Sequence, residues 1–147
     1  VRLLTLFSTY PALKQQGGGM MVISSMAGLL PVPYQAAYAG SKAFVTNFCQ
    51  SLALELHDDN LSLTVFAPGG IDTEMTSNSQ LRHFRHTPFL QNVQSCAAEA
   101  ISAMQTRQRL AVPGFLNRQQ LLLSRFLPRQ LTGLIARKIY ARALDKE

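Results

Sequence analysis

The spacing of apolar positions changes several times along the chain, and each change predicts an element. Leu3, Leu4, Leu6, Phe7, Tyr10 and Leu13 recur three to four residues apart, so residues 1–16 read as the end of a helix stopped by Gly17-Gly18-Gly19. Met20-Met21-Val22-Ile23-Ser24 is a short continuous run, as expected of a strand buried on both faces of a parallel sheet. After a loop with Gly28, Pro31 and Pro33, residues 36–57 carry the strongest helical pattern. Its apolar members are Ala43, Phe44, Phe48, Leu52 and Leu56, with Ala37, Gly40 and Ala53 small enough for close helix contact. Asp58-Asp59-Asn60 ends it. Residues 61–67 pass from alternating to fully apolar, a second buried strand, and Pro68-Gly69-Gly70 makes a sharp exit. Strand, long helix and strand predict two parallel strands in a right-handed βαβ unit.

Residues 71–88 lose this regularity. Asp72, Thr73, Glu74, Thr76, Ser77 and Asn78 suit a surface loop or short helix, and loops of this length often act as lids. Residues 93–107 read as a helix, 110–112 as a short last strand, and 115–144 as two amphipathic helices parted at Pro128. The expected fold class is α/β: parallel strands joined by helical crossovers over residues 1–112, with an added helical extension over 113–147.

Composition narrows this picture. With 147 residues, 47% of them hydrophobic, the chain suits one domain with an ordinary core. It has no unbroken apolar run of about 18 residues and no basic-then-apolar leader, so a cytoplasmic location is expected. Cys49 and Cys96 sit in helical patterns without CxxC spacing, which suits reduced core thiols. The net charge of +6 falls mostly after residue 81, with Arg82, Arg85, Arg107, Arg109 and Arg118 spread over helices and loops. Lacking interleaved aromatics, that pattern reads as a solvated face, so no nucleic-acid partner is expected.

The tail carries Leu121, Leu122, Phe126, Leu127, Leu131, Leu134, Ile135, Ile139 and Tyr140 against a basic opposite face. It reads as an apolar cover over a cleft or a subunit contact. Contact with an anionic membrane surface stays open, though Pro128 and the shortness of each half weigh against it. His83 and His86 could hold a metal only if further ligands converge, so a mobile basic loop is the expectation and no metal is assigned. His57 suits a helix-end cap, Ser24 a strand-end hydroxyl satisfying backbone, and Met75 and Phe89 either a pocket wall or plain packing.

The chemistry lies in residues 24–42, SSMAGLLPVPYQAAYAGSK. Tyr38 and Lys42 stand four residues apart, one turn along the same helix face. A tyrosine ordinarily ionises near pH 10, so acid–base work near neutrality needs a shift of about three units, roughly 4 kcal/mol. An ammonium about 4 Å away, at an effective dielectric near 20, supplies about that much. Ser25 stands thirteen positions before Tyr38, on the loop leaving the preceding strand, and can reach the same point to hold a substrate oxygen. A Tyr–Lys pair alone also fits an ordinary surface pair. The serine on a separate element and the Pro-Gly turn after the next strand make the combination specific.

Over residues 1–76 these motifs resemble the later half of a short-chain dehydrogenase/reductase. VISSMAG is similar to its serine strand, YAGSK to its YxxxK helix, and PGGIDTEM to its PG turn. The resemblance implies a partial Rossmann-like domain, the second half of a doubly wound parallel sheet, that transfers hydride between NAD or NADP and a small carbonyl or alcohol substrate. It implies that Tyr38 is the general acid/base, that Lys42 lowers the Tyr38 pKa and binds the nicotinamide ribose, and that Ser25 orients the substrate oxygen. Pro68, Gly69, Ile71 and Thr73 would cover the nicotinamide ring and its carboxamide. A homo-oligomer built on the apolar face of the long helix is also implied.

The family's glycine-rich phosphate loop is missing from these residues, because Gly17-Gly18-Gly19 follows a helix instead of joining strand to helix. The family's catalytic asparagine would fall before Val1. The expectation is therefore a fragment of a longer reductase, inactive by itself. Two other readings remain: an epimerase or dehydratase of the related extended group, and a non-catalytic interaction module.

Overall fold

In the computed structural model the described residues are 2–77 and 90–144. The first apolar segment is two helices, α1 (Arg2–Thr9) and α2 (Pro11–Gln16), instead of one. Pro11 occupies the first turn of α2 and lacks the N–H needed to continue α1, so Tyr10 between them is extended at φ −77° and ψ 111°. Gly17, at φ 80°, ends α2. Gly18 and Gly19 already belong to β1 (Gly18–Ile23), which therefore starts earlier than the apolar run predicts.

A 3-10 turn (Met26–Gly28) leads to α3 (Ala36–Glu55), and β2 (Leu61–Phe66) follows. β1 and β2 pair in parallel from Gly18 opposite Leu61 to Ile23 opposite Phe66. After β2 come β3 (Gly70–Ile71), α4 (Glu74–Ser77), β4 (Leu90–Gln91), α5 (Val93–Gln105) and β5 (Leu110–Ala111). β5 pairs in parallel with the end of β2, while β3 and β4 form a separate two-stranded parallel ladder that the polar pattern of residues 71–88 did not announce. The chain closes with α6 (Phe115–Ser124) and α7 (Arg129–Leu144), parted around Pro128 as expected.

β2 lies between β1 and β5 and is buried on both faces. Leu63 and Val65 point to one face with Leu4, Cys49 and Ala53, whereas Phe66 points to the other with Cys96, Ala100, Ala103 and Ala111. Fully burying one such Val or Leu contributes about 1.5–3 kcal/mol. The sequence order β1, β2, β5 is also the spatial order, so both crossovers step the same way across the sheet. Because α3 and α5 cover opposite faces, the two crossovers have opposite hands, and one takes the rarer left hand.

Two expectations change. β1 is not buried on both faces: among the described residues it pairs only with β2, and Ile23 keeps 50% of its surface exposed. The apolar stripe on α3 is offset from the predicted one. Thr46, Cys49 and Ala53 are its buried members, while Phe44 is 63% exposed and stacks on Phe48 with ring centroids 5.8 Å apart. Gly40 faces open space, so its smallness serves no contact among the described residues. Burial pushes the thiols of Cys49 and Cys96 above their ordinary value.

A polar network ties α6 to the core. The Glu99 carboxylate of α5 accepts from Gln91 Nε2 at 2.6 Å, from Gly114 N at 3.2 and 3.1 Å, and from Arg118 Nη1 at 3.3 Å. Gly114 precedes α6 at φ 81°, a left-handed conformation that favours glycine.

Candidate active site

The site is built where β1 and β2 end. Ser24 is buried and hydrogen-bonds Thr46 Oγ1 at 2.6 Å and Lys42 O at 3.1 Å, which fastens the end of β1 to the middle of α3. It therefore serves backbone, as its strand-end position suggested. On the next turn, Gly28 lies so close to α3 that a Cβ there would come within 2.6 Å of the Lys42 carbonyl carbon. Only a glycine permits that approach. The backbone of Lys42 is thus held by two neighbours, and its ammonium donates to Ile23 O at 3.3 Å. The same ammonium stands 5.8 Å from the centroid of the Tyr38 ring.

Ser25 caps the 3-10 turn. Its Oγ accepts from Ala27 N at 3.2 Å and donates to Pro68 O at 3.5 Å. Met26 N also donates to Pro68 O, at 2.9 Å, which binds the serine turn to the Pro-Gly turn beyond β2. Beside these turns lies a cavity of about 560 Å³. Ser25 and Gly69 line it from the strand ends, and Tyr38, 46% exposed, lines it from α3. Tyr38 Oη makes no hydrogen bond among the described residues.

Of the seven residues singled out from the sequence, Ser25, Tyr38 and Gly69 meet on this cavity, and Lys42 stands over the Tyr38 ring just behind it. Pro68 stands behind the wall through its carbonyl. Ile71 and Thr73 are not brought to the cavity: Ile71 packs against the α5 cluster, and Thr73 Oγ1 contacts Thr76 Oγ1 at 3.1 Å. The imidazole of His57 pairs with Asp58 Oδ1 at 3.2 Å, so its side chain does not cap helix carbonyls. His83, His86 and Phe89 lie outside the described residues, as does the side chain of Met75. Among the described residues no cluster of His, Cys, Asp and Glu is arranged to hold a metal, and no helix is long and apolar enough to cross a membrane.

The tail supplies most of the opposite wall. Asn117 and Gln120 of α6 and Ile135, Ile139 and Tyr140 of α7 line the cavity. Asn117 donates to Pro113 O at 2.9 Å and lies directly over Gly69, where a Cβ would come within 2.6 Å of its Oδ1. Burial, and then the neighbouring Tyr38, push the Tyr140 hydroxyl above its ordinary value, which places the two phenols in one electrostatic environment. The apolar pattern does not single out Asn117 and Gln120; the available signal is three amides, Asn117, Gln119 and Gln120, on a helix otherwise rich in leucine.

The sequence profile of short chain dehydrogenases matches residues 3–83. The chain belongs to the short-chain dehydrogenase family. Within it, 68 residues are 38% identical to the 3-oxoacyl-[acyl-carrier-protein] reductase FabG of Chlamydia trachomatis, covering 46% of this chain and 27% of that protein. Another 3-oxoacyl-[acyl-carrier-protein] reductase, from Rattus norvegicus, is 35% identical over 83 residues, covering 56% of this chain and 35% of that protein. The fold matches a short chain dehydrogenase from Burkholderia cenocepacia, solved in complex with NADP, with TM-score 0.72 and 23% identity over 91% of this chain and 52% of that one. The chain thus corresponds to about half of that solved relative, and its matched stretches span about a quarter to a third of the two reductases.

Proposed function

We propose that this chain carries the proton-transfer half of an NAD(P)-dependent oxidoreductase that interconverts a carbonyl and an alcohol. The observation that carries the reading is the meeting of Ser25 and Tyr38, from separate elements, on one cavity at the carboxyl ends of parallel strands, with the Lys42 ammonium over the phenol ring. Ligands of open parallel sheets bind at that edge.

In the reductive direction Tyr38 Oη gives its proton to the substrate oxygen as negative charge develops there. Ser25 Oγ exchanges its long contact with Pro68 O for that oxygen and orients it. The positive charge of Lys42, one helical turn from the phenol, favours the phenolate left behind. Bound nicotinamide supplies the hydride. The residues present fit its ring end: Gly69 and Gly70 bring side-chain-free backbone to the cavity, and the Lys42 ammonium, beside the Tyr38 ring, would hold the ribose hydroxyls. Pro68, Ile71 and Thr73 are proposed to shape that wall from behind. Phosphate binding needs a glycine-rich strand–turn–helix that these residues do not contain, so we place activity in a unit that also includes one.

The 147-residue chain should quench nicotinamide fluorescence weakly or not at all, and supplying such a segment, fused or in trans, should produce strong quenching. In the restored enzyme, Tyr38→Phe should lower turnover about 10²–10⁴-fold with cofactor affinity nearly unchanged. Full turnover in that variant would remove the assignment.

A second reading, an interaction module that needs no cofactor, draws support from α3. Phe44 and Leu54 are 63% and 60% exposed, and Gly40 opens to the same solvent. Self-association that survives Tyr38→Phe but is lost in Phe44→Asp would favour it.

A further inference from the structure

We infer that the cavity takes an uncharged, lipophilic ketone or secondary alcohol, with its oxygen at Ser25 and Tyr38 and its apolar body laid along α7. The placement of the oxygen rests on the oxidoreductase reading above; the character of the ligand rests on the walls alone.

Among the described residues, no Asp, Glu, Lys, Arg or His lines the cavity. Its walls are apolar along Leu30, Pro31 and Val32 on one side and Leu127, Ile135 and Ile139 on the other. The side chains that can offer hydrogen bonds there are neutral hydroxyls and amides, among them Ser25, Gln35, Gln120 and Tyr140. A carboxylate or phosphate laid against these described walls would leave water without meeting a cation on them, since the Lys42 ammonium is absent from the lining and donates to Ile23 O, a cost that neutral donors do not offset. A neutral apolar body releases water from both surfaces instead.

The basic character of α6 and α7 does not alter this. Arg118, Arg125, Arg129 and Arg137 are absent from the walls, and Arg118 is engaged with Glu99 at 3.3 Å. The apolar wall has the length for an extended chain. Thr132 and Tyr140 both line the cavity and stand eight positions apart on α7, about 12 Å at the helical rise. At Gly133 a Cβ would lie in ordinary van der Waals contact with Pro31 Cβ, at 3.6 Å, so α7 crosses over the loop that forms the facing side.

The test compares two ten-carbon probes on the 147-residue chain by saturation-transfer NMR. 2-Decanone should bind saturably and at least about tenfold more tightly than decanoate. Ile139→Asp, on the cavity wall but 45% exposed, should weaken 2-decanone at least about tenfold. Ala136→Phe, which fills the same wall without a charge, should also weaken it and serves if the first variant does not fold. Phe126→Asp, at an 80% exposed position outside the cavity, should leave binding unchanged. Equal or tighter binding of decanoate, failure of either probe to bind, or 2-decanone binding indifferent to both wall variants would overturn the inference. Tyr38→Phe, which removes one of the two hydroxyls at the ligand oxygen and keeps the ring, should weaken 2-decanone only about fivefold and preserve its preference over decanoate. Retained discrimination together with full turnover in that variant would leave the ligand class standing and remove the catalytic reading alone.

Discussion

The two walls of the cavity are built to different standards. The wall formed by the β1 end, the 3-10 turn and α3 is locked through backbone: Gly28 abuts the Lys42 carbonyl, Ser24 bonds both Lys42 O and Thr46, and Met26 N holds Pro68 O. The wall formed by α6 and α7 rests on side chains. No residue of α6 is buried, Phe126 is 80% exposed, and the attachment is the Glu99 network plus Asn117 over Gly69. Groups that must meet a reacting atom need fixed positions, and backbone contacts supply them. A wall that only encloses an apolar body tolerates looser packing, and elements with few buried contacts open at lower free energy than the core.

The contrast can be broken from either side. The largest effect is expected from Gly28→Ala, whose methyl would strike the α3 backbone and force the turn and helix apart. Urea unfolding should show a loss of about 3 kcal/mol, and an unchanged midpoint would show that the contact is slack. Gly69→Ala strikes only the end of the Asn117 side chain, which can turn away. It should cost about 1 kcal/mol and lower amide protection in α6 and α7 while leaving β2 and α3 unchanged. Equal loss of protection throughout would mean that the two walls open together.

The smallest effect lies at alkaline pH. Tyr140 is held above its ordinary value of 10.0 chiefly by burial, so the folded state keeps the phenol proton longer than the unfolded chain does. Its contribution to stability is fully present below pH 10 and is lost as pH rises through the raised folded value. Cys49 and Cys96, raised by burial from 9.0, act in the same direction and begin earlier. Tyr140→Phe should therefore shallow the fall in melting temperature above pH 10 and leave the pH 7–9 range as it is in the unsubstituted chain. An unaltered alkaline slope would place Tyr140 in solvent and weaken the enclosed-wall picture.

Local chemistry was legible because it is local. Tyr38 and Lys42 share a face through helical geometry, a strand-end serine and a Pro-Gly turn mark the edge where parallel strands present ligands, and Pro128 parts two helices in any context. The short apolar run at residues 20–23 and the stretch at 61–67 that passes from alternating to apolar marked β1 and β2 as strands, and β2 is buried as such a pattern implies.

What needed the folded chain were the contacts between segments far apart in sequence. No periodicity states that β1 would sit at the edge of the described sheet, that α3 and α5 would cross on opposite faces, or that Gly70–Ile71 would pair with Leu90–Gln91. Nor could spacing tell that Gly28 serves a backbone approach, that Asn117 would lie over Gly69, or that Ile71 would turn to the core instead of the cavity. A sequence pattern specifies which face of an element is apolar; which neighbour covers that face depends on chain reversal and packing, and these bring together residues whose separation along the chain carries no signal.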